Sequence, residues 1–158
     1  MPAADEAFAK HAREFCDWIE SEDHDVVTVR RILLDLMRGV FELSTTGEVN
    51  AEADSFPQLD HADWSADITR LRDLPLQYYR LAFDPLDLYA EASVVGDICD
   101  DLADIHAELA HGLRAFDSGA SAYAVSHWRE SYRFHWGLHA TGALTAIDAF
   151  LRSQGDGR

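Results

Sequence analysis

Apolar positions recur at helical spacing along most of the chain. Phe8, Ala12, Phe15 and Ile19 mark a first helix over about residues 4–20. The polar stretch "SEDHD" interrupts it. Asp25 is placed to cap a second helix reaching Leu43, in which Val29, Ile32, Leu33, Leu36, Met37 and Val40 form one broad apolar face. Residues 44–63, "STTGEVNAEADSFPQLDHAD", show no sustained period and predict a surface loop, long for a compact domain. A third helix is expected from Trp64 or Ser65, with Ile68, Leu71 and Leu74 inward and Pro75 as a kink. The helical reading continues through "LQYYRLAF" and stops at Asp84-Pro85. A fourth helical region covers about 87–117, with Gly96-Asp97 as a point where it can restart. After the turn "DSGAS", a last helix is expected over about 121–152, ahead of a flexible tail at 153–158. These elements predict an all-α fold, a single-domain antiparallel helical bundle of about five main helices.

Composition narrows the function classes. At 158 residues the chain can bury a real core, and 47% apolar and 11% aromatic residues exclude a disordered polymer. No apolar run approaches the roughly eighteen residues of a membrane span. The amino-terminal "MPAADEAFAKHAREF" is acidic and amphipathic, unlike a secretory signal. Cys16 and Cys99 sit inside helical patterns and read as free thiols, which fits a reducing cytoplasm. The net charge is −16, Lys10 is the single lysine, and the twelve arginines are dispersed. Without a basic stripe to release counterions, a nucleic-acid or anionic-membrane surface is not expected. A basic protein partner, a bound cation, a homodimer or a plain acidic surface all remain open.

Two segments concentrate ionisable groups. In "GDICDDLADIHAELAH" (96–111), Ile98, Leu102, Ile105 and Leu109 line one helical face. Asp97, Asp101, Asp104 and Glu108 form a stripe beside that face, with Asp100 and His111 at its edge. Like charges at this spacing repel unless something offsets them. Asp97 as a cap and Asp100 and Asp101 in the first turn would be favoured by the helix dipole. Asp104 and Glu108 could then pair with Arg80, Arg129 or Arg133. Alternatively, Asp101, Asp104 and Glu108 could hold a divalent metal, with the Glu-x-x-His pair Glu108/His111 reaching one ion. The second segment is "HWRESYRFHWGLHATGAL" (127–144), where Trp128, Tyr132, His135 and His139 fall near one face. His135 and His139, four apart, could meet one transition metal, or could be ordinary buried histidines. Gly137 and Gly142 suggest close approach by another helix. A sharper arrangement places His135 or His139 opposite Asp101, Asp104 or Glu108. Cys16 has no activating neighbour beyond Arg13, and no phosphate loop, nucleophile elbow or Cys-x-x-Cys occurs.

"FAKHAREFCDWIE", "YYRLAFDPL" (78–86), "DDLADIHAEL" (100–109) and "HWGLHATGALTAI" (135–147), in that order and spacing, resemble a bacterial family, domain of unknown function 5063. The resemblance implies an all-helical cytoplasmic protein and supplies no reaction or catalytic residue. "DDLADIHAEL" is also similar to the acidic helix of all-helical nucleotide pyrophosphatases like MazG, which hold magnesium on carboxylates. The Glu-x-x-Glu pair expected on an adjacent helix has no counterpart here, since Glu20, Glu22, Asp23 and Glu91 lack the spacing. Two functions are therefore compatible with the sequence: a binding or protein-interaction module, and a Mg²⁺- or Mn²⁺-dependent hydrolase on the acidic stripe. In the hydrolase, His135 or His139 would position groups or act as a base.

Overall fold

A computed structural model describes residues 3–45, 49 and 55–155. Helices α1 (Ala3–Glu20) and α2 (Val26–Glu42) fall where their apolar stripes predict. The Asp25 carboxylate caps α2, accepting from the Thr28 amide at 2.8 Å. Next, α3 spans His61–Leu71 and starts earlier than the sequence pattern suggests, because Asp60 and Asp63 form a reciprocal capping box. It also ends earlier, so Leu74 is buried from the following turn. Of the expected 44–63 loop, residues 46–48 and 50–54 lie outside the described residues.

The stretch read as helix over 76–84 is not helical, and its middle forms a strand. β1 (Tyr78–Leu81) pairs antiparallel with β2 (Val94–Asp97), Tyr79 opposite Gly96. Residues 87–93 are therefore part of a hairpin connection and not of a helix. Pro75 and Asp84-Pro85 isolate too few residues for a stable helix, and Tyr-Tyr suits a strand. The restart at Gly96-Asp97 is observed. Helix α4 runs Ile98–Asp117, with the Asp97 carboxylate accepting from the Cys99 amide at 2.9 Å and pairing with Arg72 at 2.7 Å.

The last helix is not uniform. It consists of α5 (Ser121–Ser131), a π-helical segment (Tyr132–Trp136) and α6 (Gly137–Ser153). The Gly137 amide reaches back to the Tyr132 carbonyl, five residues earlier. A Cβ on Gly137 would collide with that same carbonyl, so this glycine admits the wider turn of its own helix. Gly142 does meet a neighbour, but a hairpin side chain: a Cβ there would collide with the Tyr79 hydroxyl.

One continuous core joins these elements. Phe8 of α1 meets Trp128 at 4.9 Å between ring centres, and Phe116 meets the same indole at 5.7 Å. Ile98, Leu102, Ile105 and Leu109 of α4 are fully buried, as their spacing predicts. Cys16 and Cys99 are free and buried. Burial pushes the Cys16 thiol up to about 12 and the Cys99 thiol up to about 11, which leaves neither as a nucleophile.

Candidate functional site

The acidic stripe of α4 meets the histidines of the last helix. Asp101, Asp104 and Glu108 recur at three- and four-residue steps, so they stack along one line of α4. His135 and His139 are one turn apart and stack along the facing line. The His135 Nδ1 lies 2.7 Å from Glu108 Oε1, and the His139 Nδ1 lies 2.8 Å from Asp101 Oδ1. A carboxylate only accepts, so each imidazole donates through Nδ1, and in the neutral ring the lone pair falls on Nε2. Both Nε2 atoms face one oxygen: Asp104 Oδ2 is 3.4 Å from His139 Nε2 and 4.0 Å from His135 Nε2. One ligand atom from each of Asp104, His135 and His139 can be chosen so that all lie within 4.8 Å of one another.

The carboxylates are themselves held. Trp64 of α3 donates its indole N–H to Asp104 Oδ1 at 2.9 Å. Tyr79 of β1 donates its hydroxyl to Asp101 Oδ2 at 2.6 Å. His127 of α5 lies 3.0 Å from Glu108 Oε2. The cluster thus draws on α3, the hairpin, α4 and the whole last helix. It opens to solvent at His135, whose side chain is 43% exposed, against 24% for Asp104 and 21% for His139.

The charges follow from these contacts. The hydrogen bond to Asp101 raises His139 above an ordinary histidine, outweighing the opposing effect of burial. Burial works to raise Glu108, but hydrogen bonds from His127 and His135 together bring it below the usual value. Desolvation, then the nearby Asp104, raises Asp100. Burial and the bond to Asp101 keep the Tyr79 phenol protonated, well above its ordinary range.

Several sequence expectations change here. Asp104 and Glu108 have no arginine partner among the described residues: Arg129 donates to the Leu43 and Ser44 carbonyls, and Arg133 lies over the Phe134 ring. His111 does not join Glu108 at one point. It is buried, 2.9 Å from the Tyr123 hydroxyl, and burial lowers its pKa, with His127 adding to the effect. Trp128 is fully buried while His135 is open, so they do not share a face. Tyr79 is half-buried at the site, whereas Tyr78 is exposed. Trp64, Tyr79 and His127 are the participants that sequence reasoning missed. Each lies on a different element from the carboxylate it holds, and only His127 falls inside a segment whose histidines gave a signal.

A family model described as a domain of unknown function, DUF5063, matches residues 2–153. The chain belongs to this family. Among solved structures, this DUF5063 protein is similar to the crystal structure of protein BF1032 from Bacteroides fragilis, a structural genomics target. The two are 18% identical, with a TM-score of 0.75 over 94% of this chain and 92% of that one. At that identity the likeness is one of fold. No curated protein matches the DUF5063 sequence.

Proposed function

We propose that the protein is a metal-binding helical module that holds one divalent transition-metal ion on Asp104, His135 and His139. The observation that carries this reading is the direction of the imidazoles. Each Nδ1 is committed to a carboxylate and each Nε2 converges on Asp104, the outer-shell arrangement that fixes tautomer and aim in metal sites. Asp101 and Glu108, candidates as direct oxygen ligands, stand behind the histidines and fix their orientation. Two imidazoles and one carboxylate favour Zn²⁺ or a neighbouring first-row metal over Mg²⁺, which prefers an all-oxygen shell. Ligands about 2.0–2.2 Å from such an ion lie roughly 3–3.5 Å apart. The Asp104–His139 separation already matches, and a small rotation of the open His135 supplies the third ligand.

Three protein ligands leave coordination positions facing solvent. That openness supports a second reading, metal-assisted hydrolysis, in which the ion lowers the pKa of a bound water.

The test is elemental analysis of purified protein, together with thermal shifts in Zn²⁺, Co²⁺, Mn²⁺, Mg²⁺ and Ca²⁺. One equivalent of a transition metal, and a Co²⁺ visible spectrum of low-coordinate N/O type lost in His135→Ala, are expected. Metal content unchanged in both His135→Ala and Asp104→Ala would sink the reading. A site that loads metal yet turns over no phosphoester or amide would leave binding and remove hydrolysis.

A further inference from the structure

The connection between β1 and β2 displays apolar side chains to water. Phe83, Leu86 and Leu88 are each 87% exposed and Tyr89 is 94% exposed. A monomeric protein rarely shows such a run. The arm also has a defined shape. The Asp84 carboxylate accepts from the Leu86 amide at 2.9 Å, and the Asp87 carboxylate from the Tyr89 amide at 3.0 Å. The Asp87 and Ala90 amides close successive turns on the Asp84 and Asp87 carbonyls, at 3.1 and 3.4 Å. A segment already ordered loses less entropy on docking. Between Leu81 and Asp97 it carries Asp84, Asp87 and Glu91 and no cation.

Its chemical complement lies between α2 and the last helix. A groove of about 560 Å³ there is lined by Phe41, Tyr132, Leu138, Arg129 and Arg133 among others. Phe41 and Leu138 are largely exposed. Neither arginine has a carboxylate partner within 4.0 Å among the described residues, and this in a chain of net charge −16. Apolar walls with two unneutralised guanidiniums match apolar side chains interleaved with carboxylates.

We infer that the β1–β2 arm of one copy docks in the α2/last-helix groove of a second copy, its carboxylates meeting Arg129 and Arg133. Reciprocal exchange about a two-fold axis uses both arms and both grooves, so assembly closes at a dimer. The inference uses none of the proposed metal ligands and stands apart from that reading.

Sedimentation of the full chain over a range of concentrations tests it. Wild type sediments as a dimer, twice the 17.7 kDa of the monomer. The double change Leu86→Ser and Tyr89→Ser raises the dissociation constant about a hundredfold or more, and Arg133→Glu about tenfold, as expected for central and charged contacts. Far-UV circular dichroism stays unchanged in both, since the altered side chains are exposed. A monomeric wild type overturns the inference and points the arm toward a different protein. A dimer broken by the arm change but indifferent to Arg133→Glu and Phe41→Ser also overturns it, in favour of arm-to-arm pairing. So does a dimer that ignores every change.

Discussion

Two histidine–carboxylate assemblies sit on α4 within one turn of each other, and they differ in what their nitrogens are left to do. His106 and Asp67 join α4 to α3 at 2.6 Å, and both side chains are almost wholly buried. The remaining His106 nitrogen faces Glu20 at 3.7 Å, and Asp67 also receives Arg70. Everything polar in that pair is turned toward the protein. At Asp104 the same two residue types are arranged with both Nε2 atoms facing one carboxylate oxygen, in a cluster that reaches solvent at His135. A histidine–carboxylate contact is therefore a staple when it is sealed. On the proposed reading it becomes a ligand holder when its outer nitrogens converge at an opening.

Breaking the sealed pair should have the largest effect. Asp67→Ala leaves His106 buried without its partner, and urea unfolding should show about 3–5 kcal/mol of lost stability. Metal content of the folded fraction should not change, and a loss of metal would erase the distinction between the two assemblies. His139→Ala should do the reverse. Metal at a hundredfold excess over its dissociation constant adds about 2.7 kcal/mol, and this added stability should vanish in the variant while the metal-free protein changes less. A smaller effect is expected from Glu108→Gln, which keeps the shape behind His135 but removes the charge. Isothermal titration should show affinity for Zn²⁺ reduced about tenfold, with one site retained.

The smallest effect is a change of slope with pH. His139 is raised in the folded chain by Asp101. In chelator its contribution is fully present below the ordinary histidine pKa, about 6.5, and is lost as pH rises through the raised value. With metal bound the sign inverts, because the ion competes with the proton and binds more tightly as pH rises. Thermal melts with and without chelator should therefore diverge upward through this window. Parallel curves would mean that His139 is only a staple, like His106.

Much of this was legible in the sequence where the information is local. Asp25 and Asp97 announce caps because a cap needs only its own next few residues. The α4 core face and the pairing potential of His135 with His139 follow from helical spacing. The hairpin was not legible, since Tyr78–Leu81 is too short for alternation to outweigh the helical pattern on either side. Pro75 and Pro85 looked like a kink and a stop, when together they bounded a strand. The site was half legible. Its carboxylates and histidines could be named, but Trp64 binding Asp104 and Tyr79 binding Asp101 are tertiary facts that no spacing encodes. Nor could spacing show that Arg129 would serve the backbone and not the acidic stripe.

The π-helical segment Tyr132–Trp136 has a genetic meaning beyond its geometry. Each such turn holds one residue more than an α-turn, so α5 on one side of it is rotated by about 100° relative to α6 on the other. That offset lets Trp128 enter the core under Phe8 while His139 reaches Asp104. Loss of a single codon within 132–136 would heal the helix and force one of those two contacts to be given up. A gene could then still spell Asp104 and His139 and yet not bring them together, the difference being three nucleotides.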